Sequence, residues 1–556
     1  MLSDHKIQIP AVKKTLYYII PLCLTSGLQA KSQPSISSDS TNTQIEQLWE
    51  KMYELKGVVV TGTRSPKKLR EAPVLSRVIT HKDIQKADAT NIQDLLQTEL
   101  PGIEFTYAMN QQVNMNLAGF AGQSILILVD GERLAGETMD NVDFTRLSMA
   151  DIERIEIVRG AASALYGSNA AGGVINIITR KSKEPWTLHL DARYGEHNQQ
   201  RYNTILSLRQ GIYANRLTFS HTSCDNYQVS NRGTEPQAST FTQVYGDKTF
   251  NLSDRMSIDL TKDLLLTGRL QYFYRTTERE EDSQERYRDY QANIKAQWHI
   301  SPRDHLEASY NFDQYDKSDY LRIQSLDLRK YSNVQNSFRL LYNRQLRQSN
   351  ITFSAQYTYK SYDLTLESSY NRVTNKITTG LPYHKDNTDE WYLAYINLSG
   401  QDIYTVGATA QAQWQYGFSA KASYLYTHET HPTETANQYM PARPHSLTMR
   451  GEWAHDICKT INISIALSGR VHSTVTNLEY NDLAAPELGT HEVKYPAYTL
   501  WKLQLTSKIK QYAQATLTID NLFNYRPTYY YYNAPLTQGI NLYIGASIDI
   551  DKIFRK

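Results

Sequence analysis

The chain has 556 residues, with 59 Lys and Arg against 57 Asp and Glu, and this formal net charge of +2 gives no global bias toward nucleic acid or an acidic partner. Tyrosine outnumbers phenylalanine 41 to 13, and rings with a polar tip suit half-wet surfaces such as membrane interfaces and the mouths of ligand sites. Three cysteines, Cys23, Cys224 and Cys458, are too few for a disulfide-stapled scaffold.

At the N-terminus Lys13 and Lys14 precede the apolar run "LYYIIPLCL", and small residues follow as far as Ala30. This is the pattern of a secretory signal over residues 1–30, since the run is about half of the ~20 residues that a spanning helix requires. No later window is apolar over that length. An exported chain of this size is then either a soluble all-β protein or a β-barrel whose membrane signal is spread over many short strands. Residues 31–76 form a leader that begins polar and Ser/Thr-rich and contains "VVVTGTR" at 58–64. That isolated β-prone run is either the first strand of the next domain or a segment that another protein pairs with by strand addition.

Residues 77–183 mix helical and strand patterns. "THKDIQKADATNIQDLLQTELPGIEF" places Thr80 three residues ahead of Asp83, a variant of the capping box, and predicts a second helix from about Asn91 that stops at "LPG". "SILILVDGERL" is an apolar strand turning at Asp130-Gly131, a hairpin signal. "DIERIEIVRG" and "GGVINIITRK" are two further strands, and "GAASALYGSNAAGG" between them supplies small residues that let backbones approach closely. The pattern predicts a compact α+β domain.

From residue 184 to 556 the texture changes to segments of about ten residues that alternate apolar and polar, such as "RLTFSHTS", "LLLTGRLQYFYR", "ITFSAQYTY" and "GINLYIGASIDI". In the last, Ile540, Leu542, Ile544, Ala546, Ile548 and Ile550 share one face while Asn541, Tyr543, Ser547 and Asp549 share the other. One face suits hydrocarbon and the other water, which is the pattern of a transmembrane antiparallel β-barrel. A soluble sandwich or propeller would show bulkier apolar inward faces or a fixed repeat. The bore of such a barrel is wide and wet, and the compact domain ahead of it is positioned to serve as its plug.

At these residues the chain resembles the TonB-dependent outer-membrane receptors. "VVVTGTR" resembles their energy-coupling box, with Val58, Val59, Val60, Thr61, Gly62 and Thr63 as its core. "LQTELPGIEF", "ILILVDGERL", "IERIEIVRGAASALYGSNAAGGVINIITR" and "TIDNLFN" resemble their plug and penultimate-strand motifs. The resemblance implies a plug inside a barrel in the outer membrane of a Gram-negative bacterium and import of a bulky metal chelate, haem or a ferric siderophore first and cobalamin as the alternative. It further implies TonB of the inner membrane as partner, with a surface lipoprotein as a further candidate. "VDGERLAGETMDNVDFTRL" and "DIDKIF" are similar to haem or iron-chelate receptors of Bacteroidetes-type bacteria. The chain departs from the family in two respects. Leu117 and Ala118 stand in "NLAGF" where many members carry "RGF", which removes one plug-to-barrel charge contact. The family barrel has 22 strands, whereas 17 or 18 segments are countable here, so either 18 strands close a narrower barrel or the chain is a shortened copy.

On the family topology, residues 427–444, 473–496 and 524–539 are external loops. Tyr529, Tyr530 and Tyr531 suit stacking on a planar chelate. His428 and His431, with Tyr439 nearby, are candidate axial ligands for haem iron. The plug apex would offer Tyr107, Met109 and Met139. Glu280, Glu281 and Asp282 could hold calcium, although the interleaved arginines of "EREEDSQERYRD" favour self-paired surface charge. No permanently bound cofactor is implied, because the chelate is cargo. Cys224 falls in an external loop and Cys458 in a periplasmic turn, too far apart to pair. The chain has no Walker loop, HExxH or GxSxG, so no enzyme class is indicated. A passive porin or an adhesin remains the reading from another class, and a coupling box and plug argue against it.

Overall fold

The fold is that of a computed structural model. The structure describes residues 58–59, 67–68, 76–89, 91–107, 113–121, 124–134, 143–159, 170, 172–228, 243–279, 282–301, 304–344, 355–359, 362–373, 376–379, 383–384, 391–392, 395–398, 401–430, 441–481, 488–527, 537 and 539–554. The expected signal, residues 1–30, lies outside them.

Local chemistry sets the plug elements. The helix His81–Ala87 opens on a complete capping box, with the Thr80 side chain accepting from the Asp83 N–H and the Asp83 carboxylate accepting from the Thr80 N–H. Asn91 caps the helix Ile92–Glu99 through the Asp94 N–H, and that helix buries Ile92, Leu95 and Leu96. Strand Ile125–Val129 ends in a turn where Asp130 and Gly131 have φ of 52° and 84°. Consecutive left-handed residues make a turn whose twist suits a hairpin, and Asp-Gly tolerates them best. Five strands form one sheet in the order Ser76–Thr80, Ile152–Arg159, Gly173–Thr179, Ile125–Val129 and Glu132–Arg133. The pairing of Gly173–Thr179 with Ile125–Val129 is parallel, and that with Ile152–Arg159 is antiparallel. Helices and sheet enclose one apolar core that includes Ile79, Leu95, Phe105, Ile127, Phe144, Ile157 and Ile175.

Around this plug, seventeen strands among the described residues form a closed barrel, from Trp186–Gly195 to Asn541–Asp549. The last strand pairs antiparallel with the first, from His189↔Asp549 to Gly195↔Tyr543. Side chains alternate as the dyad pattern requires. On Gln199–Gln210 and Tyr213–Cys224, Leu206, Leu208, Leu217 and Phe219 are exposed outward, while Asn203, Ser207, Arg216, Thr218 and Ser220 are buried against the plug side. Ile540, Leu542 and Ile544 are likewise exposed and Tyr543 is buried, as the sequence pattern indicates. The exterior is apolar and the interior polar, the inverse of a soluble β-protein. No helix among the described residues is long and apolar enough to cross a membrane; this chain crosses with strands.

The sixteen neighbouring pairs with a defined register are all antiparallel. Followed around the ring, they make Leu326–Arg344 and Ala355–Tyr359 point the same way. An all-antiparallel ring needs an even number of strands, so the described ring has one like-directed junction, between these two. Residues 345–354, which connect them, lie outside the described residues.

Many tyrosines find their place at the external end of the barrel wall. Tyr202, Phe250, Tyr272, Tyr290, Tyr370 and Tyr404 are exposed and turned outward. Several stack on neighbours, with His221 and Phe250 4.5 Å apart and Tyr370 and Tyr404 4.8 Å apart. Rings with a polar tip at that height form an interfacial girdle.

Candidate functional site: the plug seated in the barrel bore

The plug docks through charge, and the charge is segregated. Nine plug carboxylates, Asp83, Asp88, Asp94, Glu99, Glu104, Asp130, Glu132, Asp143 and Asp151, each face a cation of the barrel or its loops. Glu99 lies 2.6 Å from both Lys421 and Arg450, with Asp83 3.2 Å from Arg450. Asp151 meets Arg216 at 2.7 Å, and Asp88 meets Arg193 at 3.1 Å. The opposite polarity is rarer: Arg146 reaches Asp289 at 3.2 Å and Asp313 at 3.9 Å, and Lys86 pairs with Glu452. In this low-dielectric seam each pair matters less for its attraction than for what its removal would leave, a charge without a partner.

Two clusters stand out toward the external side. In one, the 3-10 turn Phe144–Arg146 brings Asp143 to Arg275 at 3.3 Å and to the Tyr315 hydroxyl, which donates to it at 3.2 Å. Arg146 lies over the Tyr315 ring at 4.7 Å. Burial would raise the Asp143 carboxyl, but Arg275, the Thr145 hydroxyl and Arg146 together hold it below the ordinary carboxylate range.

The other cluster joins Glu104 to Arg443 and His472, at 3.9 and 3.8 Å. Arg443 is fully buried and donates to the carbonyls of Ser473 and Pro496, so it ties together the bases of two external loops. Burial pushes the Glu104 carboxyl up from 4.5 to about 7, with Arg443 pulling it down and Glu429 adding to the rise. A folded-state pKa above the unfolded one means that the folded protein binds the proton more tightly. Its stabilising effect is therefore complete below the unfolded value and is lost as pH rises from 4.5 to about 7. Glu104→Gln should flatten the fall in unfolding midpoint between pH 5 and 7.5; a slope that persists in this variant would belong to other groups.

The residues singled out in the sequence distribute unevenly. Val58–Val59 forms a two-residue strand paired antiparallel with Lys67–Lys68, while Val60, Thr61, Gly62 and Thr63 lie outside the described residues. Tyr107 ends the strand Ile103–Tyr107 opposite Val113. Met109, Met139, His431, Tyr439, Tyr529, Tyr530 and Tyr531 lie outside the described residues, as do Glu280 and Glu281.

His428 is not in a loop but is the penultimate residue of the strand Phe418–Glu429. Its neighbours Thr427 and Glu429 are buried on the plug side, so its own exposed side chain points outward, 6.2 Å from the Tyr404 ring. It belongs to the aromatic girdle and does not face the bore; strand alternation there, invisible without the register, is the reason. Asp282 accepts from the Ile323 N–H, and Arg279 pairs with Glu285 at 2.7 Å, in keeping with self-paired charge. Among the described residues no three His, Cys or carboxylate groups come together as a metal site. Cys224 and Cys458 are free thiols at the ends of strands that finish on opposite sides of the barrel.

The missing "RGF" arginine does not leave the plug unattached at that place. Leu117 is buried, Ala118 and Gly119 turn with φ of 50° and 90°, and Ile403 of the barrel joins the plug core beside them. A Cβ on Gly119 would fall 2.4 Å from the Glu429 carboxylate and 3.2 Å from Ile403, so the plug backbone approaches the wall directly. The charge segregation was not read from the sequence, because its partners are hundreds of residues apart; Glu99 and Arg450, for example, are separated by 351 positions.

A compact α+β plug held by ion pairs inside a closed, outwardly apolar β-barrel is the architecture of a plugged outer-membrane barrel. Residues 68–174 match the TonB-dependent Receptor Plug Domain. Over 157 residues the chain is 34% identical to the vitamin B12 transporter BtuB of Vibrio cholerae, covering 28% of this chain and 25% of that protein. It is 30% identical over 171 residues to BtuB of Photobacterium profundum, covering 30% of this chain and 25% of that protein. The match thus spans about a quarter of the length of these curated relatives. Among solved structures, the siderophore receptor PirA from Acinetobacter baumannii superposes with a TM-score of 0.61 at 13% identity, over 85% of this chain and 98% of that one, a likeness of fold. The chain carries the plug-and-barrel fold of the TonB-dependent receptors, which are Gram-negative outer-membrane proteins and not enzymes.

Proposed function

We propose that this chain is a gated importer, energised through TonB, that carries a metal chelate across the outer membrane. The observation that carries the reading is the seating of the plug: a domain held in the bore by nine carboxylates facing barrel-side cations closes the path that a passive porin or an adhesin has no need to close. The segment from Val58 to Thr63 is the part offered to TonB, by strand addition.

Haem or a ferric siderophore is the first choice of cargo. Tyr107, Met109 and Met139 at the plug apex and His431, Tyr439 and Tyr529 to Tyr531 in the external loops are the contacts we put forward, with a surface lipoprotein as a further partner. Cobalamin is the second reading, favoured by the name of the two relatives above. Deleting Val58 to Thr63 should abolish uptake of the chelate while equilibrium binding to purified protein stays unchanged. Uptake that survives the deletion would return the chain to the passive class.

A further inference from the structure

A concentration of positive charge on the bore wall lies where the plug turn Asp130-Gly131 docks. Four consecutive strands, Asp247–Asp259, Leu264–Glu278, Ser283–Ser301 and Asp304–Leu321, with Leu326–Arg344 beside them, line this wall. They direct Arg255, Arg269, Lys295 and Arg339 to one place, in the periplasmic half of the bore. Arg255 meets the Asp130 carboxylate at 2.7 Å, with Arg269 at 3.9 Å. Arg339 meets Glu132 at 2.7 Å, and Lys295 lies 3.5 Å from it. The only wall carboxylate in these ion pairs is Glu307, 2.6 Å from Arg339.

The charge balance is uneven. In the closed state four cations pair with three carboxylates, two from the plug and one from the wall. The excess is taken up by main-chain carbonyls: Lys295 donates to that of Asp130 at 2.7 Å, Arg339 to that of Gly131 at 2.7 Å and Arg255 to that of Arg180 at 3.2 Å. Two cations would suffice to anchor two carboxylates. Once the plug turn withdraws, two wall carboxylates remain against the four cations, Glu307 beside Arg339 and Asp313 acting on Arg269, on a low-dielectric wall that concentrates the field of the excess. Clustered Lys and Arg are the means by which pores select anions.

We propose that the transported chelate is an anion, and that the wall of Arg255, Arg269, Lys295 and Arg339 is the basic surface it passes when the Asp130-Gly131 turn moves away. The plug turn then acts as a tethered anionic stand-in for the cargo, neutralising the wall until transport. This rests on the importer reading above and narrows its substrate to chelates with net negative charge.

The test uses full-length protein in planar bilayers, with urea added to loosen the plug while the barrel persists, and reads the reversal potential in a KCl gradient. Chloride should permeate severalfold better than potassium, and the variant R255Q/R269Q/K295Q/R339Q should fall to parity or to cation preference. Cation preference in the wild type, or a reversal potential unchanged in the variant, would overturn the proposal. Should urea open no current, uptake decides between ferric citrate, an anionic chelate, and cyanocobalamin, which has no net charge. Uptake of ferric citrate that the quadruple variant loses supports the proposal; uptake of cyanocobalamin undiminished in that variant overturns it. The importer reading fails separately, by uptake that survives deletion of Val58 to Thr63, and that outcome leaves the ion selectivity as measured.

Discussion

Glu99→Ala is expected to weaken the seating of the plug by about 3 kcal/mol, because it strips one buried carboxylate from two half-buried cations at once. Glu99 is 3% exposed and stands 2.6 Å from both Lys421 and Arg450. Removing it leaves these side chains in the seam with Asp83 alone, at 3.9 and 3.2 Å. The remaining carboxylate puts the loss at the low end of the range for a broken buried pair, and Glu99→Gln, which keeps shape and an acceptor, should lose less. Hydrogen–deuterium exchange reads the effect: amides of residues 76–107 should exchange faster in Glu99→Ala while the barrel strands keep their protection. Equal exchange in variant and wild type would mean that this pair does not hold the plug.

Phe144→Ala is expected to cost about 3–5 kcal/mol of plug stability, the range for deleting a fully buried aromatic ring. Phe144 is 2% exposed and meets Phe105 edge-on, with ring centroids 6.0 Å apart at 87°. Its position gives the loss a second effect. The ring anchors the short turn that carries Asp143 to Arg275 and Arg146 to Asp289, so a cavity beneath it loosens both ion pairs. Limited proteolysis should cleave the plug of this variant readily, while the folded barrel keeps its compact mobility on a gel run without heating. A plug as resistant as the wild type would place the stability of that turn in the ion pairs instead.

Much of the fold was legible in the sequence because its signals are local. The Thr80 capping box, the Asp130-Gly131 turn and the outward row of Ile540, Leu542 and Ile544 each depend on spacing within a few residues. Properties set by register were not legible. His428 reads as a loop residue near an aromatic, yet its strand continues one residue past it and alternation turns the ring outward. The same blindness applies to the plug–barrel seam, where Asp94 meets Lys502 across 408 positions of chain. The loss of the "RGF" arginine was legible as a missing charge, but not its replacement by the close approach of Gly119 to Ile403 and Glu429. Contacts made by closing a ring depend on which strands become neighbours, and pairwise spacing along a chain does not contain that.

At rest the plug fills the bore of a closed barrel. Wild-type protein inserted in a planar bilayer without urea and without ligand tests it most directly. The expected result is a membrane whose conductance stays at the lipid baseline, with current appearing only when the plug is loosened. A steady ohmic current from the untreated wild type would contradict it, and the importer would give way to an open channel.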